Sequence, residues 1–383
     1  MSPPRPTPAI HDPSRVFGLD LLRAIAILLV LFTHWCGHFT AWLQIETPAW
    51  LEFAGDTGVD LFFVLSGFLI GRILLRIAPN PSWHAWKVFL IRRALRTLPL
   101  YFLWLSLLLV LAPPRHDAAA TALRFLTMTQ NLLAPMPPDY YFAVTWSLAI
   151  EEWFYLLFSA ALLGLAACVN RHWALVTCLG GFMLIPLLLR LAAPGVHETV
   201  FFRIDEIGYG VAAAALYRNR HWMFDTPGPL CLVGFALIES AALATAIVPA
   251  WVSQVFGHVA VVIGCACCLP AALRLTTITP WFDRPVRWIA ARSYALYVIH
   301  LTILVDVVEA QFWETGMLST AQSVTLAVIA PFPLAALSWR VLEAPMLRLR
   351  PSQAQDPTYP APNAPDGLSA SEAEKPYYPS VAA

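Results

Sequence analysis

The sequence predicts an all-α protein, a polytopic integral membrane bundle of about ten transmembrane helices with both termini cytoplasmic. Three observations carry this reading. Hydrophobic residues make up 58% of the 383 and charged residues only 13%, roughly half the charged share of an ordinary soluble domain. Ten apolar stretches approach the roughly 20 residues needed to cross a bilayer core as a helix. Arginines gather at alternate ends of those stretches, among them Arg76, Arg92, Arg93, Arg171, Arg218, Arg284 and Arg348, which marks the cytoplasmic side. The 24 basic and 24 acidic side chains cancel, so no basic face points to nucleic acid and no acidic excess points to a polycation. Seven cysteines lie scattered in apolar runs without CxxC spacing; neither a zinc site nor a disulfide framework is expected.

Residues 1–16 form a proline-rich cytoplasmic segment. At Phe17 the chain enters a retained anchor, because no small-residue cleavage site follows. The first span, 17–36, places Asp20 and Arg23 near its cytoplasmic end and His34 near its outer end. Eleven residues are roughly 16 Å of helix and about three turns, so Arg23 and His34 line one cavity at different depths; the plain alternative is that Arg23 snorkels to headgroups. The second span, 58–77, carries Asp60 at its outer end and Ser66-Gly67 halfway down. Small residues there suit close helix packing, and without a Gly-x-Ser-x-Gly elbow Ser66 is a candidate substrate contact and not a nucleophile.

The third span, 88–112, opens with Arg92, Arg93 and Arg96. Positive-inside flanking explains Arg92, but Arg96 sits a turn deeper, where a lipid-facing guanidinium is disfavoured. With Arg23 these forks match phosphate oxygens. The stretch 121–133 is too short and polar to span and is expected at the interface or re-entering from outside. The fourth span, 143–168, carries Trp146 and then Glu151 and Glu152. These carboxylates point about 100° apart, so one of them, taken as Glu151, faces the cavity and partners His34; a structural hydrogen bond to another helix is the alternative. The fifth span is 174–192, and the sixth, 202–217, opens with Arg203, Asp205 and Glu206. The seventh and eighth are 229–249 and 252–273. The ninth, 289–309, sets Tyr294, Tyr297 and His300 at three-residue spacing, and the tenth, 319–342, leads to Glu343. Residues 347–383 make a tail rich in Pro, Ala and Ser that cannot bury enough surface to fold alone.

These blocks, GLDLLRAIAILLVLFTH, GDTGVDLFFVLSGFLIGRIL, RRALRTLPLYF, WSLAIEEWFYLLF, RIDEIGYGVAAA, SYALYVIH and LEAP, stand in the order found in the acyltransferase 3 family, which the chain resembles over nearly all of 15–346. The resemblance implies a membrane O-acyltransferase of a bacterial inner membrane that moves an acyl group, usually acetyl from acetyl-CoA, to hydroxyls of surface glycans such as O-antigen, exopolysaccharide or peptidoglycan. The family's Arg-x10-His signature falls on Arg23 and His34, and its paired arginines on Arg93 and Arg96. No metal is expected. Some members carry an additional extracytoplasmic SGNH domain; here a standalone form is expected, with the acceptor meeting the membrane domain or a separate transferase completing the reaction.

Depth then suggests a mechanism. Acyl-CoA docks from the cytoplasm with its phosphates on Arg23, Arg93 and Arg96, flanked by Arg92, and its thioester reaches His34, the general base, helped by Glu151. Asp60, Ser66, Trp146, Arg203 and Asp205 are candidate substrate contacts. A transporter or flippase of a glycan or lipid intermediate is the main rival; carriers commonly show two related halves, and no such repeat is evident.

Overall fold

The computed structural model describes residues 16–136, 141–193, 198–219 and 221–351, and no strand occurs among them. Except for Val16, the expected N-terminal segment lies outside the described residues, as does the tail beyond Pro351. Nine helices among the described residues are long and apolar enough to cross a membrane. They are α1 (Phe17–Trp42), α2 (Ala49–Ile77), α3 (Trp83–Leu111), α5 (Thr145–Cys168), α6 (Arg171–Ala192), α9 (Pro227–Ile247), α10 (Ala250–Arg274), α11 (Pro280–Trp313) and α12 (Thr320–Arg348). Between them lie α4 (Ala118–Leu126), α7 (Val200–Arg203) and α8 (Asp205–Arg218).

Several helices outrun their expected spans because apolarity marks only the part in hydrocarbon. α1 continues six residues beyond Cys36 to Trp42, held there by Glu309 of α11, which accepts from the Trp42 indole at 3.0 Å and lies 2.9 Å from His38 Nδ1. Helix starts follow capping chemistry. Ser82 Oγ accepts from the Ala85 amide, Asn170 from His172, and Ser319 forms a capping box with Gln322.

The expected sixth span is the exception. It divides into α7 and α8, and the 14 residues of α8 cover about 21 Å, short of a bilayer core of about 30 Å. Its surroundings explain this: Asp205, Glu206, Ile207, Gly208, Gly210 and Val211 are all buried, so protein and not lipid sets its length. The stretch expected at the interface begins as α4 and then packs onto its neighbours. Tyr101 of α3 donates to the Phe125 carbonyl at 2.7 Å, Trp153 of α5 to that of Met128 at 2.9 Å, and Gln130 and Asn131 donate to the carbonyls of Thr145 and Trp146.

Without a hydrophobic drive between helices in lipid, close packing decides association. One of the most extensive contacts is α2 against α8. A Cβ at Gly67 would fall on the Ile207 carbonyl and one at Gly210 on that of Val64, so the two backbones touch. α11 turns into a π-helix at Ile303–Trp313, a widening that often marks functional sites and that here aims Glu309 at α1.

Candidate active site

α1, α2, α3, α5 and α11 enclose a cavity of about 430 Å³, within the usual range for a small-ligand site. Seven arginines line it: Arg23 from α1, Arg72 and Arg76 from α2, Arg92, Arg93 and Arg96 from α3, and Arg350 just beyond α12. Glu151 is the sole acid on this lining. Arg23 lies in the first turns of α1, Arg72 and Arg76 in the last turns of α2 and Arg92, Arg93 and Arg96 in the first half of α3, so the up-and-down topology delivers them to one mouth. Arg23 pairs with Asp20 at 3.2 Å, and Arg72 lies over the rings of Phe68 and Tyr217. Arg93 lies 6.0 Å from the centre of the Tyr155 ring, a cation–π contact.

Deeper in the cavity, hydroxyls and carboxylates interlock. Tyr155 donates to Glu151 Oε2 at 2.8 Å, and its oxygen lies 2.7 Å from Ser66 Oγ. Thr97 donates to Glu152 at 2.5 Å while its carbonyl accepts from Tyr294, also at 2.5 Å. Tyr297 is hydrogen-bonded to Ser147 at 2.7 Å and packs edge-on against Phe62 with centroids 6.2 Å apart. All four of Phe62, Ser147, Tyr294 and Tyr297 line the cavity.

His34 is not among the lining residues. It sits behind Tyr297, whose ring centre is 6.1 Å from that of His300, and its Nδ1 is 3.0 Å from His300 Nε2. The expected pairing of His34 with Glu151 is therefore absent: Glu151 turns to Tyr155 in the arginine-lined chamber, and the side chain that His34 meets is another imidazole, with the Val30 backbone as a further partner. That imidazole dictates the tautomer of His34. His300 Nδ1 lies 3.0 and 2.9 Å from the carbonyl oxygens of Leu296 and Tyr297, which can only accept, so Nδ1 carries the proton. With both rings neutral, His300 Nε2 is then an acceptor, His34 Nδ1 donates to it, and the lone pair of His34 is left on Nε2. A base oriented through its other nitrogen is the arrangement of catalytic histidines.

The remaining expected contacts gather in a third place. Arg203 bonds Asp60 and Glu206, each at 2.6 Å, and its guanidinium lies 4.8 Å from the centre of the Trp146 ring. Asp205 is held in bidentate fashion by Arg190. Asp60, Arg203, Asp205 and Arg190 are all 3% exposed or less, so these charges satisfy one another inside the bundle, and none of them lines the cavity. The structure thus brings together Arg23, Arg92, Arg93, Arg96, Ser66 and Glu151, sets His34 behind the chamber's wall, and groups Asp60, Trp146, Arg203 and Asp205 apart.

Sequence reasoning did not assign Arg72, Arg190, His300 or Arg350 to a site. Arg72 was open to the argument used for Arg96, since it lies one turn deeper than the flanking Arg76. Arg190 is the lone cation of its span, an unmatched charge that asks for a carboxylate.

Comparison with known proteins bears on what this chamber does. A family model described as an acyltransferase domain matches residues 16–340. The peptidoglycan O-acetyltransferase OatA of Listeria monocytogenes is 27% identical over 367 residues, covering 86% of this chain and 55% of the relative. A Bacillus subtilis protein named putative peptidoglycan O-acetyltransferase YrhL is 26% identical, covering 86% and 54%. The chain spans about half the length of the curated relatives it matches. No solved structure matches it.

Proposed function

The chain belongs to the acyltransferase 3 family, and from that membership we propose that it is a multi-pass membrane enzyme carrying an acyl group, acetyl by preference, from cytoplasmic acyl-CoA to a hydroxyl of an extracytoplasmic glycan. One observation carries the reading: a chamber lined by seven arginines ends at Tyr297, which backs directly onto the His34–His300 pair. A polyanion held at the arginines points its uncharged arm at a base.

On this reading the arginine mouth is cytoplasmic, as are both termini, and the membrane is a bacterial inner membrane. The phosphates of CoA lie on Arg23, Arg93 and Arg96, with Arg92 at the rim. The pantetheine arm runs past Ser66 and the Glu151–Tyr155 pair to the Phe62–Tyr297 threshold. Glu151 faces the bound donor here and tempers the cationic chamber through Tyr155. His34 Nε2 takes the proton of the acceptor hydroxyl as its oxygen attacks the thioester carbonyl. The tetrahedral intermediate collapses with cleavage of the C–S bond, and the departing thiolate recovers the proton from the imidazolium, leaving ester and free CoA. General-base assistance of this kind contributes about 10²–10⁴-fold. The acceptor is a hydroxyl-bearing glycan, in keeping with the peptidoglycan in the relatives' names, met by this domain or through a separate extracytoplasmic transferase.

The test is radiolabelled acetyl-CoA supplied to the purified protein in nanodiscs with glycan fragments. Ester formation with stoichiometric CoA release is expected, lost in His34→Ala and His34→Gln while CoA still binds, and weakened at the binding step in Arg96→Ala. A protein that neither binds CoA nor forms ester with any hydroxyl acceptor overturns the reading and restores the transporter as its rival.

A further inference from the structure

The residues that follow the last helix close on the chamber's mouth. Arg350 lines the cavity beside the arginines of α3, and Arg92 Nη1 donates to the Pro351 carbonyl at 2.5 Å. This bond ties α3 to the chain just after Arg350 and fixes where its guanidinium stands. Arg350 Nε is buried and has no hydrogen-bond partner among the described residues. Nor does Arg93, Arg96 or Arg350 form an ion pair there with any described carboxylate.

Such crowding has an electrostatic cost. Burial and the neighbouring guanidiniums of Arg96, Arg93 and Arg92 push Arg350 down to about 9. Like charges repel in a pocket screened less than water, and an anion relieves the repulsion for all of them together. Arg93, Arg96 and Arg350, none of them ion-paired with a described carboxylate, together call for more than one negative charge. The chemistry that fits is a ligand with more than one phosphate group, presented to planar forks that bind oxygens in pairs.

We propose that Arg350 is a phosphate-binding residue of the donor site, delivered by the segment beyond the last helix and positioned by the Arg92–Pro351 hydrogen bond. The site is thus completed by a part of the chain outside the spans, and it selects donors by their phosphate end. This deepens the donor reading above and rests on it for the identity of the ligand, though not for its charge.

The test uses the full chain in nanodiscs, with Arg350→Ala, Arg350→Lys and Arg96→Ala checked for monodispersity, and titrates CoA, dephospho-CoA and inorganic pyrophosphate. Arg350→Ala is expected to weaken CoA binding roughly tenfold to a hundredfold, the range for a charged hydrogen bond. kcat should change little, because the thioester lies at the far end. Arg350→Lys should recover part of the affinity, and acetyl-pantetheine, which lacks the phosphates, should be handled alike by wild type and variant. Should the wild type ignore CoA yet bind pyrophosphate in an Arg350-dependent way, the phosphate site stands and the donor reading falls. CoA affinity within twofold of wild type in Arg350→Ala, alongside a clear loss in Arg96→Ala, overturns the proposal and leaves the donor reading intact. Loss of neither ligand in any variant overturns the proposal and, with it, the placing of CoA's phosphates on these arginines.

Discussion

Replacing His300 with leucine removes the acceptor that holds His34 in one tautomer, and the size of the effect follows from the geometry. His300 is fully buried, its Nε2 lies 3.0 Å from His34 Nδ1, and the ring centres are 5.0 Å apart. Leucine fills similar space but accepts nothing, so His34 is left with the Val30 carbonyl alone as a hydrogen-bond partner or the proton moves to Nε2, where it blocks the base. An unsatisfied buried polar group costs about 1–3 kcal/mol, and each 1.36 kcal/mol is tenfold in rate, so kcat should fall by about 5- to 150-fold. The donor KM should hold, since the arginine mouth is untouched. His300→Gln offers a side-chain carbonyl to Nδ1–H and should recover part of the loss, which a merely structural defect would not allow. The assay is steady-state transfer in nanodiscs at matched protein, across pH. Full kcat in the leucine variant, or a glutamine variant as impaired as leucine, would refute the tautomer argument.

Three further outcomes are expected. Arg203→Ala strands the Asp60 and Glu206 carboxylates, and breaking a buried pair in this way costs about 3–5 kcal/mol; thermal melting by fluorescence-detected size exclusion should fall steeply, and an unchanged melting profile would contradict the structural role given to this cluster. Arg350, buried and faced by Arg96, Arg93 and Arg92, keeps its charge across the assay range, so CoA affinity should fall as salt screens the cluster, and Arg350→Ala should flatten that dependence when CoA binding is titrated against ionic strength. Single cysteines at 218 and 284 should resist an impermeant maleimide in intact cells while those at 46 and 314 react; the reverse pattern inverts the proposed direction of transfer.

Hydropathy was enough to find most of the helices, because a span must satisfy its own backbone and shed charge wherever it meets lipid. It misjudged α8, whose length is set by protein neighbours and whose buried acids are met by Arg190 and Arg203. Arg203 meets Asp60 across 143 positions, and a sequence cannot tell such a mutual pair from a ligand site. Arg23 and Arg96 were legible because each sits inside its own span, where a lipid-facing guanidinium is disfavoured. His34's partner was not: 266 positions separate the two imidazoles, and the carboxylate that seemed its natural companion, Glu151, faces a different chamber by a rotation about the α5 axis that composition leaves open. Arg350 was read as part of an unfolded tail, since nothing local announces that Arg92 reaches for the carbonyl beside it.

The glycine crossing of α2 and α8 has a mechanical consequence. Where backbones touch there is no layer of side chains to compress or slide, so the pair behaves as a stiff rail. One face of the chamber, carrying Ser66, Arg72 and Arg76, is mounted on that rail. The opposite face, α3, is fastened near the chamber through Thr97, by side-chain hydrogen bonds to Glu152 and Tyr294 that can break and re-form. For the proposed donor to enter and leave, α3 with its three arginines is the wall whose fastenings can open, and α2 is the fixed anvil it closes against.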